Sequence, residues 1–353
     1  MVRGPRVDRA GDFAHHTAFR AVVVRHAGRG GAKAAGDGGL QGGPAVPGAG
    51  IPGDGVAHPV PGAGQPVAGA DEVKAPRTEI ARPATLAEAL ALLATEDARI
   101  LAGGQSLGAA LNLRLDAPAL LVDINGIPGL DRITLEDRHL VFGPLVRHRA
   151  VLESPLVARE VPVLAQVMPH VAHPAIRNRG TTAGSIAYAD PAGEMPAVAH
   201  LMAAELVLAS ASGERVVSAR DFFLGIYDTL RAPEEMLVAI RWPRTGPNER
   251  FAFGEVTRRR GDFASVGFVA RAVIEAGLVR GIALTAFASE PAPVLCPAAE
   301  GAIGQRLTPG LAADLAGAIA ADLDPMPSLA GSAEQKRAQA RALARRVLMD
   351  LAA

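Results

Sequence analysis

ILAGGQSLGAALNLRLDAPALLVDI, residues 100–124, passes from a short apolar run through a glycine bend into a leucine-rich segment and out into a second apolar run. The first run is ARIL (98–101), the bend carries Gly103 and Gly104, and the second run is LLVDI (120–124). Short apolar runs on either side of a helical segment predict a small β–α–β unit, with the bend where strand becomes helix. Two chemistries suit such a bend. GQSLG (104–108) matches the G-x-S-x-G nucleophile elbow, with Ser106 as nucleophile and Asp190 and His200 as candidate partners. A hydrolase of that kind places several strands before its nucleophile, whereas only about 30 residues of foldable chain precede Ser106. Backbone offers the other chemistry. Glycines let successive N–H groups converge, and a helix start adds partial positive charge. Ala102, Gly103, Gly104, Gln105 and Ser106, with Leu107 opening the helix, then suit a phosphate, the Ser106 hydroxyl adding a donor.

Downstream, a second bend of small residues repeats the chemistry in RNRGTTAGSIAYADPAGEMP (177–196). Thr181, Thr182, Ala183, Gly184 and Ser185 are all small, and three of them carry hydroxyls. Two such bends suit a diphosphate, although spacing alone leaves ordinary tight turning equally open. Asp190-Pro191 is expected to be a helix N-cap followed by proline at the first helical position. Glu194, just beyond, has a carboxylate able to receive two ribose or ribityl hydroxyls at once.

Upstream, the character changes near Val73. Thr85 and Glu88 form a T-x-x-E capping box, and Leu86, Leu90 and Leu93 recur at helical spacing. Residues 1–70 hold 17 of the 39 glycines and punctuation such as GGPAVPGAGIPGDG, so residues 1–73 are expected to be a disordered extension. Within them, VVVRHAGRGGAK sets Gly28 and Gly30 after an apolar run. Lys33 stands where a dinucleotide fingerprint needs its third glycine, and no helix pattern follows.

Beyond the second bend, a helix is expected around 196–203 and a hairpin over 205–219 turning at Ser212-Gly213. SPLVAREVPVLAQVMPHVA (154–172) is expected to be mostly helical. From 236 the pattern is β, with MLVAIRWP, RFAFGEVTRR and an alternating pair around Ala276-Gly277 read as antiparallel hairpins. Two helices close the chain at 308–323 and 332–351. This α+β mixture does not continue as repeated βαβ units, which excludes a simple Rossmann sheet.

Composition excludes several classes. The 36 basic and 36 acidic side chains balance, so bulk charge directs the chain to neither nucleic acid nor anionic membrane. No apolar run reaches the roughly 20 residues of a spanning helix. One cysteine, Cys296, permits neither an internal disulfide nor a four-cysteine iron–sulfur site, and a cytoplasmic setting is expected. Flanked by prolines, Cys296 reads as inert. His170 and His173 form H-x-x-H, but Pro174 disturbs the helix and no third ligand is spaced to join them. The TRRRGDF run (257–263) suits either a phosphate or a solvated strand end.

ILAGGQSL, LVDINGIPGL, HPAIRNRGTTAGSIAYADPAGEMPAV, RRRGDFASVGF and SAEQKRAQARALARRVL, in this order over residues 74–350, resemble the FAD-binding medium subunit of the molybdenum hydroxylases. That group includes carbon monoxide dehydrogenase, nicotine-type dehydrogenases and xanthine dehydrogenase. The resemblance implies a PCMH-type FAD-binding fold of two α+β subdomains (74–128 and 129–248), then a C-terminal domain (249–353) with a small antiparallel sheet and helices. It implies that Ala102–Ser106 and Thr181–Ser185 are the two pyrophosphate loops, that Glu194 binds the flavin's polyol region and that Leu237 lines the isoalloxazine pocket. It implies FAD as cofactor and no catalytic side chain or metal on this chain. Molybdopterin and 2Fe-2S clusters are expected on a large and a small partner subunit, in a dimer of heterotrimers. A serine hydrolase using Ser106 and a flavin-free scaffolding subunit are the alternatives.

Two departures from the family pattern stand out. Ala183 replaces a glycine of the second loop and is expected to crowd the phosphate; Gly254 stands where some relatives carry a lysine near the isoalloxazine. The glycine-rich extension is expected to be a flexible appendage or a misplaced translation start. Intact-mass measurement on natively produced protein distinguishes these, a mass short of residues 1–73 supporting the second.

Overall fold

In the computed structural model, residues 78–95 and 97–353 are described. The expected extension at 1–73, with its G-x-G segment, lies outside them. The first described strand is β1 (Glu79–Ala81), followed by α1 (Leu86–Leu93), β2 (Ala98–Leu101), α2 (Leu107–Asn112) and β3 (Leu120–Asp123). The sheet order is β1-β3-β2, and both pairings are parallel. Strand, helix and strand thus follow the expectation, while β1 is an addition: three residues with no alternation give no signal before a partner is known. Thr85 caps α1 by accepting from the Glu88 N–H, and Glu88 reaches one residue further back than a capping box requires, to the Ala84 N–H at 2.8 Å. Leu90 and Leu93 of α1 meet Val122 and Ile124 in the small core beneath this sheet.

A second, antiparallel sheet runs β4-β5-β10-β6-β7. Its strands are β4 (Ile133–Leu135), β5 (His139–Phe142), β6 (Glu205–Ser210), β7 (Gly213–Ser218) and β10 (Met236–Pro243). MLVAIRWP therefore sits at the centre of this sheet, antiparallel to β5 and β6, and does not pair with the strand that follows it. Between β5 and β6 come α3 (His148–Glu153), α4 (Pro155–Glu160), α5 (Pro162–Val167), α6 (Pro174–Arg177), α7 (Thr182–Tyr188) and α8 (Glu194–Met202). The segment 154–172 is helical as expected, but Pro162 divides it into two short helices. α8 is buried along its whole length, as a helix with apolar residues on every side must be. After β7 come α9 (Ala219–Phe222) and a two-stranded hairpin of β8 (Phe223–Gly225) and β9 (Asp228–Thr229).

The third sheet is antiparallel, in the order β11 (Glu249–Val256), β12 (Val266–Glu275), β13 (Leu278–Phe287) and β14 (Val294–Leu295). Ala276 and Gly277, both at positive φ, close the β12–β13 hairpin in the left-handed region such a tight turn needs. α10 (Pro309–Asp322) and α11 (Ala333–Ala352) cover the sheet, α11 opening with a capping box between Ser332 and Gln335. Leu343, Val347, Leu348 and Leu351 of α11 pack with Phe268 and Leu284 of the sheet. The whole is an α+β fold, and none of its described helices is long and apolar enough to cross a membrane.

Opposite Phe287 in the β12–β13 register stands Gly267, and a Cβ there would lie 2.1 Å from the Phe287 ring. The ring therefore lies over bare backbone. Gly267→Ala is expected to destabilise the chain by about 1–3 kcal/mol through overpacking, checked by denaturant unfolding against the parent protein.

Candidate functional site

The bend after β2 owes its path to Gly103 and Gly104. Gly104 takes φ +69°, and a Cβ on Gly103 would lie 2.6 Å from the Arg179 carbonyl oxygen, 2.8 Å from Gly180 Cα and 3.1 Å from the Thr181 nitrogen. The first bend therefore touches the second, backbone to backbone, at a spot where only hydrogen fits. Side chains reinforce the contact. Asn125 Nδ2 donates to the Ala102 carbonyl at 2.9 Å, and Asn125 Oδ1 accepts from Arg147 at 2.5 Å. Arg147 in turn donates to the Arg179 carbonyl. Main-chain bonds from the His148 N–H to Gly180 O (3.0 Å) and from the Thr182 N–H to Val146 O (3.1 Å) complete the brace. Neither Asn125 nor Arg147 was singled out from sequence, although Asn125 lies inside LVDINGIPGL.

Within the first bend, the N–H groups of Gly104, Gln105 and Ser106 have no acceptor among the described residues. Gln105 folds its side chain back to the Gly103 carbonyl at 3.0 Å. Ser106 occupies the N-cap of α2 with φ −98° and ψ −54°, and its hydroxyl makes no capping bond. This is ordinary right-handed backbone, unlike the strained turn of a nucleophile elbow. His200 is buried on α8 with Nδ1 3.3 Å from Thr285 Oγ1, and burial pushes it down to about 4. Asp190 accepts from the Ala192 N–H and from Tyr227. No hydrogen bond links Ser106, Asp190 and His200, so a hydrolase triad has no support.

In the second bend the residues divide by direction. Thr181 caps α7, its hydroxyl accepting from the Gly184 N–H at 3.0 Å; a Cβ on Gly184 would lie 2.6 Å from that oxygen. Thr182 is fully buried with Oγ1 3.4 Å from His148 Nδ1. Ala183 belongs to the core of the second sheet. Its methyl packs into that cluster. Gly184 and Ser185 keep partial exposure.

Asp190 does not cap a helix. The chain turns through Asp190-Pro191-Ala192, and α8 begins at Glu194 with Gly193 as its N-cap. Asp190 Oδ1 accepts from the Ala192 N–H at 2.9 Å in an aspartate turn. Its Oδ2 receives the Tyr227 hydroxyl at 3.3 Å, tying the turn to the β8–β9 hairpin. Glu194, the first residue of α8, is only 9% exposed. Burial pushes its carboxyl up to about 8, the charges of Glu255 and Asp190 adding to the effect and a backbone N–H opposing it. Leu237 is buried in β10 beside a bulge at Val238, and α7, which rises from the second bend, packs on that strand.

Other candidates resolve simply. His170 meets Glu255 rather than His173, and no group of three metal-ligating side chains occurs among the described residues. Burial pushes the Cys296 thiol up to about 12, which keeps it inert. Arg258 of the arginine run donates to the Leu329 carbonyl at 2.9 Å. A Cβ on Gly254 would lie within 2.6 to 3.1 Å of Arg346, Leu343 and Val347, so that position points into α11.

Residues 76–245 match the family described as FAD binding domain in molybdopterin dehydrogenase, and residues 251–351 match the CO dehydrogenase flavoprotein C-terminal domain. The 6-hydroxypseudooxynicotine dehydrogenase complex subunit alpha of Paenarthrobacter nicotinovorans is 35% identical over 75% of this chain and 90% of its own length. This chain belongs to the FAD-binding medium subunits of the molybdenum hydroxylases. Solved structures agree with that assignment. The medium-subunit fold recurs in carbon monoxide dehydrogenase from Hydrogenophaga pseudoflava, with a TM-score of 0.76 and 34% identity over 79% of this chain and 98% of that one. Quinoline 2-oxidoreductase from Pseudomonas putida 86 gives a TM-score of 0.76 and 35% identity over the same shares. As a member of this family, the chain is an FAD-binding subunit of an oxidoreductase.

Gly103→Ala is expected to force the two bends apart and to lower flavin content at least tenfold, an effect of about 1.4 kcal/mol or more in binding. Gly108→Ala, whose Cβ meets nothing within 4 Å, is expected to leave it unchanged. Absorbance of the purified variants in complex with their partners checks both.

Proposed function

We propose that the first bend, Ala102–Leu107, and the second, Thr181–Ser185, jointly hold the diphosphate of FAD through main-chain N–H groups. The contact at Gly103 carries this reading, because it sets the unused N–H groups of the first bend beside the start of α7. The residues fit such a ligand. Ser106 keeps a hydroxyl that no cap consumes, and the start of α7 adds partial positive charge next to it. Glu194 accepts hydroxyls of the flavin's polyol chain, and Leu237 contributes apolar surface towards the isoalloxazine. Asn125 and Arg147 touch backbone alone and fix the spacing of the bends, while the Asp190–Tyr227 pair fixes the turn that leads to Glu194.

Once bound, FAD supplies the chemistry, taking electrons from one redox group and passing them to another. The chain orients it, shields it from water and tunes it by local charge. The lone cysteine fits a division of labour in which iron–sulfur clusters sit on a small partner subunit; with a large molybdopterin subunit, the proposed assembly is a cytoplasmic dimer of heterotrimers. We divide the chain at 74–128, 129–248 and 249–353, in keeping with its three larger sheets.

The complex purified with its partner subunits is expected to show flavin absorbance of about one FAD per chain, bleached by chemical reductant. A complex that assembles without flavin would overturn the reading in favour of a scaffolding subunit.

A further inference from the structure

Strand β11 alternates its side chains between two environments. Gly254 points to α11, so Phe253 and Glu255 point the opposite way, towards the helices of the second sheet. The Phe253 ring lies 4.8 Å from that of His170 and stacks on Phe287 at 6.1 Å. Beside this aromatic group Glu255 is buried, its side chain 6% exposed. One carboxyl oxygen, Oε1, lies 3.2 Å from His170 Nδ1. The other, Oε2, is buried with no hydrogen-bond partner among the described residues. An orphaned carboxyl oxygen in a native interior calls for an explanation by function or by an occupant.

Two titratable groups bear on it: His170 from the turn after α5, in contact with Oε1, and Glu194 from the start of α8. Arg260, from the loop after β11, and Arg346, from α11, act on His170. β12 presents Gly267 opposite Glu255 and contributes no charge. Helix α5 packs on both β11 and α8, and the Glu255 charge adds to the upward push that burial gives the Glu194 carboxyl. His170, by contrast, is partly open to solvent, with 39% of its side chain exposed. His170, open to solvent, and the Glu255 carboxyl therefore form a route from solvent to a buried acid whose charge reaches Glu194.

We propose that Glu255, reached through His170 and within electrostatic range of Glu194, is a second carboxyl of the flavin pocket that takes up a proton as the bound flavin gains electrons. The inference rests on the FAD reading given above. Electrons reaching a bound flavin from partner subunits would add negative charge to the pocket. A proton from solvent forms an O–H bond at Glu255 and removes one unit of that charge. Burial alone pushes the Glu255 carboxyl up to about 7, and burial together with the two arginines pushes His170 down. Both partners thus favour their neutral forms, and the pair is poised to exchange a proton rather than locked as an ion pair. Linkage sets the sign: Glu255 is neutral below its raised pKa and charged above it, so it opposes flavin reduction increasingly as pH rises through about 7.

The test uses the complex with its partner subunits, comparing wild type with Glu255→Gln by redox titration of the flavin between about pH 6 and about pH 8. Gln mimics the protonated acid. The two potentials are expected to coincide at the acid end, and the variant is expected to become progressively more positive than wild type towards the alkaline end. A constant offset, or no difference, overturns the proposal, since a merely structural change shifts the potential equally at every pH. Flavin absent from wild type overturns the FAD reading itself, a separate result. If Glu255→Gln loses flavin, His170→Gln replaces it. The break in the pH profile is then expected to move, and an unmoved break overturns the proposal.

Discussion

Everything at this site depends on one steric fact: between the Gly103 Cα and the Arg179–Thr181 backbone there is room for a hydrogen and nothing larger. Two bends, one following strand β2 and the other helix α6, meet there, and each ends at the start of a helix. That contact sets the unbonded N–H groups of Gly104, Gln105 and Ser106 beside the start of α7. The Asn125–Arg147 brace then holds the spacing without using any of the outward-facing donors. Preorganisation of this kind lowers the ordering cost that a flexible nest would incur on binding an anion.

The same packing sets the electrostatics. His148 beneath the second bend is pushed down to about 4 by burial and the nearby arginines, so it is neutral where it supports Gly180 and Thr182. Glu194 and Glu255, both drawn into the interior, are pushed up towards neutral forms. The carboxyls behind the bends therefore carry little negative charge. Positive potential comes from Arg147 and Arg177 together with main-chain N–H groups and helix starts.

Local order was legible in the sequence wherever neighbours in the chain are neighbours in space. The Thr85 cap, the strand–helix–strand order around the first bend and the Ala276-Gly277 turn all depend on a few consecutive residues. Asp190 was misleading because Asp-Pro suits an N-cap and a turn alike. Gly193 decides between them by taking the cap position itself. The direction of Ala183 was hidden because it depends on how α7 rotates against β10, a contact between distant segments. Asn125 and Arg147 were invisible for a related reason: their bonds bridge 22 and 32 positions of sequence, and an isolated Asn or Arg announces no partner. Glu255 gave no signal at all until His170 was found beside it.

An experimental structure of this chain in its assembled complex with FAD tests the shared diphosphate site most directly. Diphosphate oxygens are expected within about 2.7–3.2 Å of main-chain nitrogens from both bends, Gly104–Ser106 on one side and the start of α7 on the other. A diphosphate held by one bend alone, or bound elsewhere on the chain, would contradict it.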